Sequence, residues 1–119
     1  MTHAVEGEWR WGDELDAVVA APNSHRVVFE NEHVRVLEVT LEPGAHEPEH
    51  THRWPSVMMT DARARIRYYI GDRLSFESPD PLPPRAELTG SWTPPEGPHS
   101  VANIDSVPMH AIRVELKSL

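Results

Sequence analysis

The clearest patterning in the chain runs from His33 to Leu41, where Leu37, Val39 and Leu41 alternate with Glu38 and Thr40, the period of a strand with one buried face. Arg26 to Glu30 is a second β-branched run, and Asn31-Glu32 between the two reads as a hairpin turn. Ser56 to Thr60 predicts another strand, with Asp61-Ala62-Arg63 turning the chain. From Ala64 to Ile70 the alternation returns, with Ala64, Ile66, Tyr68 and Ile70 on one face and Arg65 and Arg67 on the other. Gly71-Asp72 then turns into Arg73 to Phe76. In the last predicted strand, Met109 to Lys117, His110, Ile112, Val114 and Leu116 form the apolar face, and Arg113, Glu115 and Lys117 the other. Ala86 to Leu88 and Ser91 to Thr93 are brief candidates on either side of Gly90.

One helix is expected, from Asp13 to Ala21: Asp13 as N-cap, Leu15, Val18 and Val19 as an apolar stripe, and Pro22 as its stop. If residues 8 to 11 are extended, Trp9 and Trp11 share a face that can cover a sheet edge. Ser78 to Arg85 contains Pro79, Pro81, Pro83 and Pro84, which remove backbone donors and fix φ, so it is a stiff loop serving as connector or pocket rim. Short strands separated by Gly, Pro, Asn and Asp turns, with no repeat and no long helix, predict an all-β antiparallel barrel.

A length of 119 residues fits one domain, 1–119. The absence of cysteine excludes disulfides, thiolate metal sites and cysteine nucleophiles. A net charge of −8 opposes binding to nucleic acid or an anionic membrane. Met1 to Glu8 lacks a charged-then-apolar signal pattern, and no run approaches the roughly 20 apolar residues of a membrane span, so a soluble, cytoplasmic protein is expected.

Without cysteine, metal chemistry falls to histidine. His46, His50 and His52 lie within seven residues. In a strand His50 and His52 point the same way with Cα atoms roughly 6.6 Å apart, close enough to converge on one ion. His46 shares their parity but lies beyond Pro48, either as a fourth ligand or as an entrance residue. A third ligand must come from elsewhere, and His99, after the turn-rich Trp92 to Pro98, is the best candidate. His25 and His33 flank the predicted hairpin without metal spacing and are assigned to the surface. His110 is expected as a core or pocket residue able to move a proton. Trp54 and Pro55 are assigned to packing at the rim.

These residues resemble the two metal-binding motifs of the cupins. Gly44, His50 and His52 match the first motif, G-x5-H-x-H, and Pro94, His99 and Asn103 match the second, P-x-G-x-x-H-x3-N. The chain departs from both. Ser56 or Val57 stands where the family usually has a metal-binding glutamate, the first motif's closing glycine falls near Ala64, and Glu96 takes the second motif's glycine position. The resemblance implies a jelly-roll barrel, a double-stranded β-helix with the metal inside its mouth, and a homodimer built through edge strands or an exchanged N-terminal segment. It also implies one divalent transition metal, Fe, Zn, Ni, Mn or Cu, held by His50, His52 and His99, with His46 as a candidate fourth ligand. Three neutral ligands leave the ion's charge intact and favour an anionic substrate or hydroxide, and Val57, with Met58 or Met59, would give it an apolar wall. The family includes three-histidine iron dioxygenases, the leading expectation for activity on a small organic molecule. Redox-neutral isomerases and lyases, with His46, His110 or Glu96 as proton carrier, and a non-enzymatic binding barrel are the alternatives.

Overall fold

The computed structural model describes residues 9–85 and 87–118. Among the described residues nine strands form two antiparallel sheets. One contains β1 (His25–Glu30), β2 (Val34–Leu41), β9 (Met109–Leu116), β4 (Ser56–Ala62) and β7 (Ser91–Thr93), side by side in that order. The other contains β3 (His50–His52), β8 (Glu96–Asn103), β5 (Ile66–Ile70) and β6 (Arg73–Glu77). Gly71, at φ 63°, makes the β5–β6 turn, a left-handed conformation that glycine adopts without a Cβ clash.

The predicted β1–β2 hairpin is present, and β2 buries alternate residues, Leu37, Val39 and Leu41 among them. Its register contains one irregularity with large consequences. Phe29 pairs with Val36 and Val27 with Leu37, so Val28 is an extra, bulged residue. The bulge shifts the parity of everything before it, and His25 therefore pairs with Val39, whose side chain faces the core. The expectation that His25 is a surface residue is corrected: it is 5% exposed. His33, beyond the other end of β1, is exposed as expected.

The face assigned to β9 is also corrected. Ala111, Arg113 and Glu115 are the buried residues, pairing with Val39, Leu37 and Arg35 of β2. His110, Ile112, Val114 and Leu116 project from the opposite face of the strand. On β4 the same alternation turns Ser56, Met58 and Thr60 inward with Arg113 and Glu115, and Val57 away from them against Trp92 and Val114. The expected Val57 wall is thus formed by Met58 and Thr60.

The helix is shorter than its apolar stripe predicts: a 3-10 turn at Asp13–Leu15 and one α-turn, α1, at Ala17–Ala20. Asp16, not Asp13, caps it by accepting from the Val18 amide at 3.2 Å, because the same carboxylate is held by Arg35. Ala17 and Ala21 are its fully buried residues, while Val19 is exposed. Trp9 and Trp11 lie outside any strand and pack edge to face at 4.8 Å, with Trp11 over Gly97, where a Cβ would meet its ring at 3.1 Å. Glu8 and the Met1 to Glu8 segment lie outside the described residues, as does Ala86, and Glu87 and Leu88 are not strand. Among the described residues no helix is long and apolar enough to cross a membrane.

The buried hydrophobic cluster is small: Leu37, Val39 and Ala111, with Val18, Val27, Met58 and Met109 packed against it. Much of the remaining interior is polar and surrounds a cavity of about 500 Å³ between the sheets. Asn103 closes the second motif structurally, its amide donating to the Leu41 and Val107 carbonyls at 2.9 Å.

Candidate metal centre

The pairing of β3 with β8 brings the two histidine-bearing segments together, with His50 directly opposite His99 and His52 opposite Glu96. The imidazole centroids of His50 and His99 are 4.4 Å apart, those of His50 and His52 5.0 Å, and those of His52 and His99 5.4 Å. His25 completes the group from the neighbouring sheet, 4.7 Å from His50 and 5.3 Å from His52. All four lie in the cavity wall and are buried. Ligand atoms within 4.8 Å of one another form two overlapping triples: His25, His50 and His52 in one, His52, Glu96 and His99 in the other.

Each ring is oriented through Nδ1. His50 donates from Nδ1 to the Pro48 carbonyl at 2.8 Å, His99 to the Gly97 carbonyl at 2.8 Å, and His25 to the Ala21 carbonyl at 3.1 Å. A carbonyl oxygen only accepts, so the neutral tautomer at each carries its proton on Nδ1 and leaves the Nε2 lone pair free. His52 donates from Nδ1 to Glu115 Oε2 at 3.1 Å. Glu115 is fully buried and accepts at its other oxygen from Arg35 Nε at 2.6 Å, and the Arg35 guanidinium also grips both oxygens of Asp16. The Asp16–Arg35–Glu115–His52 chain therefore runs from the helix cap to the site. Trp54 lies at the rim of this chain, under the Arg35 guanidinium at 5.1 Å and Lys117 at 5.6 Å.

Electrostatics keep the imidazoles neutral. Burial lowers His25 to about 4, and the neighbouring Arg113 and His99 act in the same direction. Burial, followed by the charge of His99, lowers His50 to about 3. His52 and His99 are also lowered, chiefly by burial. Neutral imidazole is the state that ligates a metal. The donor chemistry thus fits a divalent transition ion: nitrogens that are unprotonated, pre-oriented and without hydrogen-bond partners on Nε2 among the described residues, their ligand atoms converging as His25–His50–His52 and as His52–Glu96–His99 rather than as the expected His50–His52–His99.

Two carboxylates stand beside the imidazoles. Glu96 Oε2 is 3.6 Å from His99 Nε2, accepts from the Tyr68 hydroxyl at 2.6 Å, and its other oxygen accepts from Arg113 at 2.7 Å. Burial alone would raise this carboxyl, but Arg113, His99 and Tyr68 together hold it below its ordinary value. Burial pushes the Tyr68 phenol up, and its bond to Glu96 adds to that. Glu47 Oε1 lies 3.6 Å from His50 Nε2, and its other oxygen accepts from the Ser24 hydroxyl at 2.8 Å. Burial pushes Glu47 up to about 7, with the nearby Glu96 charge contributing.

The other residues singled out in the sequence fall elsewhere. His46 does not line the cavity: its Nε2 bonds to Ser100 Oγ at 2.9 Å and its ring stacks on Tyr69. His46 bridges to Ala102 while His50 pairs with His99, a one-residue change of register that removes the parity the two share in sequence. His110 is likewise outside the cavity wall, bonded to Asp61 and, at 2.8 Å, to Glu38 on the far face of its strand. Ser56, four residues after His52, is fully buried with an unpartnered Oγ and brings no carboxylate. Glu47, Glu115 and His25 were not singled out for chemistry. Glu47's position three residues before His50 was the available signal, whereas Glu115 and His25 required the strand faces.

No family model matches the sequence, and no curated protein matches it. Solved structures do. The chain superposes on a cupin domain from Bordetella pertussis with a TM-score of 0.64 at 18% identity, over 79% of this chain and 92% of that one. An RmlC-like cupin with a double-stranded β-helix fold from Methanocaldococcus jannaschii gives 0.53 at 13% identity, over 77% of each. A polyketide cyclase from Streptomyces resistomycificus gives 0.53 at 15% identity, over 83% of this chain and 68% of that one. The chain has the cupin fold, with a histidine-rich cluster in the interior of its double-stranded β-helix.

Proposed function

We propose that this protein is a metal-dependent enzyme acting on a small organic molecule in the barrel interior. His50, His52 and His99 would hold one divalent ion, with His25 or Glu96 adding a further ligand. The observation that supports this reading is the shared orientation of the four imidazoles, each tied at Nδ1 with Nε2 left to the cavity. Imidazole nitrogens serve Fe, Zn, Ni, Mn and Cu alike, and such an ion supplies Lewis acidity and, where redox-active, electron transfer. Met58, Ile66, Val101 and Met109 present apolar surface to a ligand and restrict water around it.

A dioxygenase using Fe(II) is the finer reading. A redox-neutral lyase, isomerase or cyclase is the second, favoured by proton-handling groups beside the imidazoles: Tyr68 donates to Glu96, and Glu47, at about 7, exchanges a proton near neutrality. The same fold carries a polyketide cyclase in Streptomyces resistomycificus. The test is chelation, reloading with each metal, elemental analysis, and a screen of small organic acids in an oxygen electrode. One ion per chain, lost in His50→Ala, His52→Ala and His99→Ala, is expected, with oxygen uptake only in the Fe(II) form. Turnover without oxygen uptake moves the assignment to the redox-neutral class. Full metal occupancy in all three variants refutes the metal centre.

A further inference from the structure

The cavity's wall changes character from floor to rim. Near the imidazoles stand Glu47, Glu96 and Arg113, and Arg113 is already neutralised by Glu96 at 2.7 Å. The rest of the wall mixes apolar side chains, Met58, Ile66, Leu82, Val101 and Met109 among them, with hydroxyls such as Thr60 and Ser91. At the rim are Arg63, beyond the end of β4, and Arg85, at the end of the proline-rich loop. Arg26, Arg35, Arg65, Arg67, Arg113 and Lys117 each have a carboxylate partner. Arg10, Arg53, Arg63, Arg73 and Arg85 have none within 4.0 Å among the described residues, and of these five Arg63 and Arg85 line the cavity. Each of these two donates to a main-chain carbonyl across the rim, Arg63 to Pro83 and Arg85 to Thr60. These reciprocal bonds fasten the end of β4 and the proline-stiffened loop to each other through both guanidiniums, which lowers the ordering cost of binding there.

We propose that Arg63 and Arg85 form a carboxylate clamp at the mouth, and that the molecule entering the cavity is an amphipathic organic acid. Its carboxylate stays at the rim, and its apolar body lies along Met58, Ile66, Leu82, Val101 and Met109 toward the imidazoles. This assignment rests on the reading of the cavity as a substrate site and adds the chemical class of the substrate. The orientation follows from pairing: on the floor Arg113 is already occupied by Glu96, whereas the rim guanidiniums, free of carboxylate partners among the described residues, keep N–H donors suited to carboxylate oxygens. A monoanion is favoured over a dianion because the protein's negative field penalises each added charge.

The probes are phenylpropionate and hexanoate, each against its neutral amide, titrated by calorimetry and NMR into chelator-stripped protein, so that the outcome does not depend on metal. The acids are expected to bind about tenfold more tightly than the amides, a difference of about 1.4 kcal/mol. High salt should weaken only the acids. Arg63→Gln/Arg85→Gln should bring acid and amide to parity with amide affinity retained. Equal binding of acid and amide to the parent protein, no binding of either acid at millimolar concentration, or a preference that survives the double variant overturns the clamp. If the double variant does not fold, the salt dependence of the parent decides alone. Failure of the metal reading has a separate signature, loss of metal stoichiometry with the acid preference intact.

Discussion

Glu115→Gln removes one charge from the Asp16–Arg35–Glu115–His52 chain while keeping its volume. Glu115 now accepts at both ends, from Arg35 Nε at 2.6 Å and from His52 Nδ1 at 3.1 Å. A glutamine has one accepting oxygen and one donating nitrogen. Arg35 cannot give up its proton, but His52 can move its own, so the amide oxygen turns to Arg35 and the amide nitrogen faces His52. His52 must then accept at Nδ1 and carry its proton on Nε2, the atom needed for a metal. Loss of such a supporting partner typically costs about 10–100-fold in metal affinity, or about 1.4–2.7 kcal/mol. Replacing the charged acceptor weakens the fold by about 1.5–3 kcal/mol as well.

The assay is zinc titration against a competing chelator, with 15N NMR of the imidazoles in the metal-free protein. The spectra should show the His52 proton moved from Nδ1 to Nε2, while His50 and His99, held by carbonyls, stay as they are. Glu38→Gln, on the far face of the sheet, is the control. Zinc affinity within twofold of the parent, in a folded protein with an unchanged His52 tautomer, would refute the reasoning.

Two further perturbations separate neighbouring histidines. His25→Ala should lower metal affinity by about tenfold or more, the loss expected where a ligand or its support is removed, whereas His46→Ala should leave it unchanged, both read by metal content after dialysis. His110 is raised above its ordinary value by Glu38 first and Asp61 second, so the stability its pairing contributes is full below about pH 6.5 and is lost as pH rises through the raised value. The Tm difference between the parent and His110→Gln should therefore be largest in mild acid and fade in alkali, with no change in metal binding at any pH.

The fold was largely legible because the turns and the alternation of β2 and β5 are local signals. The two histidine-bearing segments were legible as well, since His50 and His52 share one strand face and His99 follows a turn-rich approach. What failed was the assumption that apolar means inside. In β9 the apolar residues Ile112, Val114 and Leu116 face away, and the inward positions hold Arg113 and Glu115, because this interior is a site rather than a packed core. The β1 error has a different origin. Without the Val28 bulge, pairing from Glu30–Arg35 would have set Arg26 opposite Val39, and only the extra residue turns His25 inward. A single inserted residue leaves no trace in a hydrophobic pattern this short.

Two of the three departures from the cupin motifs also explain each other. Ser56 pairs directly with Glu115 across β4 and β9. A glutamate at 56 would set two carboxylates side by side in a fully buried position, where like charges on facing strand residues are destabilising. With Glu115 committed to Arg35 and His52, the carboxylate beside the imidazoles comes instead from Glu96, which stands opposite His52 on β8 at the motif's usual glycine position. There Arg113 meets its charge at 2.7 Å, and Arg113 comes from the same inward face of β9 as Glu115. Replacing the glutamate after His52 by serine and the glycine before His99 by glutamate thus moves the negative charge from one sheet to the other, next to a cation that keeps it ionised.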